Sequence, residues 1–202
     1  MEGKKTWIIT IVVLVLLLIY SFLFPLPFQT ILIRFFALGG FFLLCVTLLI
    51  GPSLVCVGNV RAPLIKYRKQ IGLLSFIFIA IHFFLVFIYS YNLSFAPILY
   101  NFWILIALPA LIILFVLAIT SVNKVIQVFG FYFWKWLQRL VYLAFILSFI
   151  HFLQDTNGLF IPVSGGVTFV NLAEVFLIVL GIITIILQIV GFLKKIVMSM
   201  RK

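Results

Sequence analysis

Residues 71–89 read Ile71-Gly-Leu-Leu-Ser-Phe-Ile-Phe-Ile-Ala-Ile-His82-Phe-Phe-Leu-Val-Phe-Ile-Tyr89, nineteen residues with a single ionisable side chain near the middle. A helix rising about 1.5 Å per residue crosses most of a hydrocarbon layer of roughly 30 Å with such a run, and nothing in it alternates polar with apolar as a half-buried strand would. Comparable apolar runs lie outward on both sides, at 7–24, 35–50, 102–119, 137–153 and 169–193. Hydrophobic residues make up 67 % of the 202 and charged residues 8 %, a balance that excludes a water-soluble domain of this size. The expected fold is all-α: a polytopic membrane protein, a six-transmembrane-helix bundle forming a single domain over 1–202. The first run follows Lys4 and Lys5 as a signal peptide would, but its apolar part is long and no small-residue cleavage site follows, so it reads as a retained helix.

The formal charge of +11 is distributed by topology, which argues against nucleic acid as the partner and for the lipid bilayer. Threading six spans alternately puts thirteen of the fourteen Lys and Arg residues on the side of the two termini and leaves Arg34 alone on the other. By the positive-inside rule both termini are cytoplasmic, in the cell (inner or plasma) membrane. Cys45 and Cys56 have neither metal-site spacing nor an oxidising compartment and read as packing residues.

The connections carry turn chemistry. Phe24-Pro25-Leu26-Pro27 predicts an abrupt turn, Gly51-Pro52 a break after the second run, and Asn92-Leu93-Ser94 is formally a glycosylation acceptor. Between Asn123 and Arg139, aromatic residues mix with cations as at a headgroup interface. The stretch from Asp155-Thr156-Asn157-Gly158 to Gly165-Gly166 reads as an outer loop where a partner could dock.

Only two histidines occur, His82 and His151, each in a different apolar run. His82 follows Lys69 by 13 residues and His151 follows Arg139 by 12. Both imidazoles therefore come to about 18–20 Å from one face of the membrane. Ionisable groups at that depth are costly and mark function, and two imidazoles at one level point to the axial positions of a haem iron. Bis-imidazole ligation favours one-electron transfer over oxygen binding. Against this stands a neutral imidazole that merely locks helices together by hydrogen bonds. Zinc or copper would want a third or fourth ligand, and no Cys, Asp or Glu lies near either position in these runs.

Arg34, at the mouth of the second run, suits a haem propionate, and a snorkelling interface arginine is the alternative. Glu174 reads as an interfacial carboxylate, with pairing to Arg34 as the other reading. Arg68, Lys69 and Arg139 suit a flavin phosphate, such as that of FMN, at the cytoplasmic face, although positive-inside bias also accounts for them.

Arg68-Lys69-Gln70-Ile71-Gly72-Leu73 running to Ala80-Ile81-His82, and Leu117-Ala118-Ile119-Thr120-Ser121 continuing to Trp136-Leu137-Gln138-Arg139-Leu140-Val141-Tyr142-Leu143 and His151, resemble the ferric reductase-like transmembrane domain family over residues 34–153. Within it they resemble the haem-binding membrane subunits of bacterial methionine sulfoxide reductase systems. The resemblance implies a b-type cytochrome that takes electrons from a cytoplasmic flavin reductase or a membrane quinol. It would pass them outward to an extracytoplasmic molybdoenzyme reductase, as an oxidoreductase electron-transfer subunit rather than a complete enzyme. Members of this kind carry a further histidine in the pattern Leu-His-Arg-Leu-Val-Tyr-Leu; this chain has Gln138 there, a poor iron ligand, so one haem is expected. Two rival readings remain open from residues alone: a ferric or quinone reductase component without a sulfoxide-repair partner, and a haem-free small transporter or assembly factor.

Overall fold

The computed structural model describes residues 2–23, 26–56, 63–121, 130–154, 160–163 and 167–200. Helices α1 (Glu2–Phe22), α2 (Phe28–Cys56), α3 (Pro63–Tyr89), α4 (Ala96–Tyr100), α5 (Phe102–Thr120), α6 (Phe131–Leu137), α7 (Leu140–Gln154) and α8 (Leu172–Met200) follow one another, with a two-stranded hairpin before α8. Five of them, or the continuous stretches they form, are long and apolar enough to cross a membrane; in α1 the apolar part is Trp7–Phe22. The protein is a helical, multi-pass membrane protein.

α2 is the central helix. In its most apolar window 61 % of the residues are buried inside the protein, against 11–22 % in the other four spans. Close packing around α2 depends on missing side chains. A Cβ on Gly40 would come within 2.8 Å of the Ile79 side chain and 3.2 Å of its backbone nitrogen, so α3 can lie against α2 only because that residue is glycine. The Ser75 hydroxyl donates to the Gly40 carbonyl at 2.9 Å across the same contact.

Several spans differ from the runs read in the sequence. The helix expected to end near Gly51-Pro52 continues through Pro52 to Cys56. Proline cannot donate to the carbonyl four residues back, which is that of Leu48, and in a membrane an unsatisfied carbonyl is costly. Gln188 of α8 supplies the missing donor, its Nε2 reaching the Leu48 oxygen at 2.6 Å. The run expected at 137–153 is broken at Gln138 and Arg139, where i→i+3 bonds such as Arg139 N–H to the Trp136 carbonyl (3.0 Å) end α6 before α7 begins.

The outer loop expected before the last span carries a hairpin, β1 (Phe160–Val163) paired antiparallel with β2 (Val167–Val170), Phe160 opposite Val170. Aromatic and β-branched residues either side of Gly165-Gly166 explain the strands, and they move the start of the last helix from 169 to Leu172. The Phe24-Pro25 turn, Asp155 and the glycines of 155–159 and 164–166, and residues 122–129 of the 123–139 connection lie outside the described residues, as do the side chains of Lys4, Lys5, Cys56, Arg61 and Lys66; the aromatic part of that connection from Phe131 forms α6.

Candidate cofactor site

His82 on α3 and His151 on α7 line the same two cavities, one of about 130 Å³ and one of about 420 Å³. They are brought there by different neighbours. The glycine-mediated contact of α2 with α3 sets His82 beside the first turns of α2, where its Nδ1 lies 3.0 Å from the Ile33 carbonyl oxygen. The start of α5 serves His151, whose Nδ1 lies 3.1 Å from the Trp103 carbonyl oxygen. That carbonyl is held in place by a cap: Asn101 accepts hydrogen bonds from the Trp103 and Ile104 amides at 3.0 and 3.4 Å, which fixes where α5 starts. A carbonyl oxygen only accepts, so in both rings the hydrogen sits on Nδ1 and the lone pair on Nε2. That is the tautomer a metal-binding histidine adopts when its other nitrogen is held by the protein.

The smaller cavity is walled by aliphatic and aromatic side chains, with Ser148, Arg34 and Glu174 as its other polar groups. Phe41 of α2 stands at its floor, stacked on Phe152, Phe149 and Phe145 of α7 with centroids 4.7, 5.7 and 5.8 Å apart and rings within 9° of parallel. α8 closes on this stack because Gly181 has no side chain; a Cβ there would fall 2.7 Å from the Phe149 ring. The larger cavity continues towards the end where α3 and α7 stop and α5 begins, and Ser90, Tyr91, Asn101 and Gln154 make that mouth polar.

Arg34 sits in the second turn of α2 rather than before it, and its guanidinium lies 3.5 Å from Oε1 of Glu174 in a half-buried ion pair on the cavity wall. Glu174 is therefore not the solvated interfacial carboxylate expected: it is 9 % exposed, receives the Asn171 side-chain amide, and its own amide meets the Asn171 oxygen at 3.4 Å. Asn171 caps the start of α8, its Oδ1 accepting from the Glu174 amide while its side-chain amide donates to the Glu174 carboxylate, an arrangement signalled in the sequence by Asn-x-x-Glu before an apolar run. The Asn101 cap has the same kind of signal, a lone asparagine before Phe102.

Arg68 and Arg139 lie at the opposite end, about 21 and 18 Å of helix away from the histidines. Arg68 packs along Gly51 of α2, its guanidinium 3.5 Å from where a Cβ would be, and Arg139 is exposed at the α6–α7 break. No contact joins the two among the described residues. Gln138 reaches Ser121 at 3.5 Å. Among the described residues no three of His, Cys, Asp and Glu gather as a metal cluster would require.

Residues 36–149 match the family of the ferric reductase like transmembrane component, more than half of the chain. The chain belongs to that family. His82 falls inside the matched ferric reductase-like segment and His151 two residues beyond it. Similar proteins include one from Ralstonia nicotianae, 29 % identical over 120 residues that cover 57 % of this chain and 54 % of the relative. Another, from Herminiimonas arsenicoxydans, is 33 % identical over 93 residues, covering 44 % and 43 %. A third, from Brucella melitensis biotype 2, is 33 % identical over 119 residues, covering 57 % and 52 %. All three bear the name protein-methionine-sulfoxide reductase heme-binding subunit MsrQ. The matched part of this ferric reductase-like chain spans about half the length of these relatives.

Proposed function

We propose that this chain is the membrane-embedded electron-transfer subunit of an oxidoreductase and holds one haem b, with His82 and His151 as axial ligands. One observation carries the reading: imidazoles from two helices line one pair of cavities, each keyed by Nδ1 to a main-chain carbonyl so that Nε2 carries the lone pair. The donor set fits a porphyrin iron, which needs two axial nitrogens and no further protein ligand, and the larger cavity falls in the roughly 300–1,000 Å³ range of small-molecule sites. When bound, a haem supplies a one-electron ferric/ferrous couple.

The chain's own residues do the rest. The carbonyls of Ile33 and Trp103 hold the two rings in one tautomer and orientation, and raise the basicity of each Nε2. Phe41, Phe152, Leu38 and Ala110 keep water from the deeper cavity. Arg34, beside Glu174 on the cavity wall, would offer its guanidinium N–H groups to a propionate carboxylate.

Support for a sulfoxide-repair partner comes from the relatives' names: each is a subunit of a protein-methionine-sulfoxide reductase. On this proposal both termini are cytoplasmic, six helices cross the cell membrane as one domain, and electrons run outward. A flavin reductase or quinol gives them up and an extracytoplasmic molybdoenzyme receives them. Arg68 and Arg139, at the donor end, are the cations that would meet the phosphate of an FMN.

Spectra of the detergent-purified protein, oxidised and dithionite-reduced, with haem quantified per chain, test the core of this. His82→Ala and His151→Ala should each abolish the Soret band; wild-type spectra from both variants would show the ligand assignment to be wrong. Co-purification with an extracytoplasmic molybdoenzyme tests the partner separately.

A further inference from the structure

The cavity that holds the two histidines also holds an ion pair, and acids are scarce enough here for that to be informative. The chain has three acidic residues in all, and one of them, Glu174, is buried in the cavity wall. Its carboxylate is 3.5 Å from the Arg34 guanidinium and also receives the Asn171 amide, so α8 fixes its position independently of α2. The Asn171 cap accounts for the local hydrogen bonds of Glu174, but it uses the backbone amide and one side-chain oxygen, and glutamine offers both as well as glutamate. The negative charge is what the cap does not require. It stands in a low-dielectric wall, where fixed charges act strongly on any charge change in the cavity.

We infer that Arg34 and Glu174 are potential-setting residues, an opposed charge pair on the cavity wall that fixes how readily the cofactor bound between His82 and His151 accepts an electron. Glu174 disfavours the arriving negative charge, and Arg34 favours it. Because Glu174 also takes up an N–H of the Arg34 guanidinium, it limits how far that cation can stabilise the reduced state. The pair acts through its field and through the position of Arg34, without touching the iron ligands. This inference rests on the haem reading proposed above.

Equilibrium redox titration of the purified holoprotein, with haem content and thermal unfolding measured on the same samples, tests it. Glu174→Gln keeps the cap and removes the charge, so the midpoint potential should rise at unchanged haem content; Glu174→Asp, which keeps the charge, should stay near wild type. Arg34→Gln should lower the potential, and it decides the sign on its own if Glu174→Gln folds poorly. A purely structural role would move both variants in the same direction or move only the unfolding temperature. An unmoved potential in Glu174→Gln, or shifts of like sign in Glu174→Gln and Arg34→Gln, overturns the inference while leaving the haem site standing. Wild-type protein without haem overturns both.

Discussion

Among the described residues the two ends of this bundle are built from the same helices and similarly apolar side chains, yet one is hollow, holding two cavities, and the other solid, a core of buried side chains. Towards the start of α2 the cavities open between His82, His151 and Arg34, with Ala107 and Ala110 on the facing helix. Towards its end Leu43, Leu44, Cys45 and Leu48 are at most 1 % exposed and belong to one buried cluster with Ile71 of α3. The difference lies in side-chain size on α5 and in the polar ties. At the hollow end the ties are imidazole to carbonyl and Arg34 to Glu174, around a space. At the solid end Gln188 closes on the Leu48 carbonyl that Pro52 frees, beside fully buried side chains. Hydrophobicity alone thus places the chain in the membrane; volume and hydrogen bonding decide where something can bind.

Filling the hollow end should have the largest effect. Ala107 lines both cavities, so Ala107→Phe places a ring in the space between the histidines. Haem content per folded chain should drop at least tenfold, measured by pyridine haemochrome, while the helical signal in circular dichroism stays. Retained haem would mean that the cofactor lies elsewhere.

Damage to the solid end should do the reverse. Leu48→Ala removes a fully buried side chain and should cost about 2–5 kcal/mol, read as a lower unfolding temperature in detergent, with haem per folded chain unchanged. Gly40→Ala tests the seam between the two ends: its Cβ would press on Ile79, including the backbone nitrogen, and overpacking of this kind costs about 1–3 kcal/mol. Because α3 carries His82, this variant should also loosen haem retention, which Leu48→Ala should not. Asn101→Ala removes the cap beneath the Trp103 carbonyl and should cost about 1 kcal/mol.

Much of the hollow end was legible in the sequence. Similar spacing of the two histidines from the basic end of their helices, and an arginine at the other end, are read along single helices, and the structure brings all three to one cavity. The pairing of Arg34 with Glu174 was one of two readings, and only the position of α8 decides between them. The solid end was less legible. Gln188 meets Leu48 from 140 residues away, so the Pro52 reading as a break followed the local rule and missed the remote donor. The Phe41 stack likewise joins residues more than a hundred positions apart, with 25 phenylalanines to choose from. The break at Gln138 and the hairpin at 160–170 interrupt or adjoin apolar runs, where hydropathy gives no edge to read.

The smallest effect should come from Gln138→His, which places a third imidazole at the solid end. A second haem needs more than that one imidazole. On α3 the position 13 residues before His82 is Lys69, and the chain offers no third native histidine as an opposing ligand. Between the two helices at this level Ile71 and Leu48 are fully buried against each other's neighbours, so a porphyrin would have to displace the core that α2 forms. Gln138 itself lies in the turn between α6 and α7, bonded at 3.5 Å to Ser121. Haem per chain should therefore stay at the wild-type value in Gln138→His, with the spectrum unchanged. A second equivalent of haem in this variant would show that the solid end opens, and that the contrast between the two ends rests on ligand supply instead of on packing.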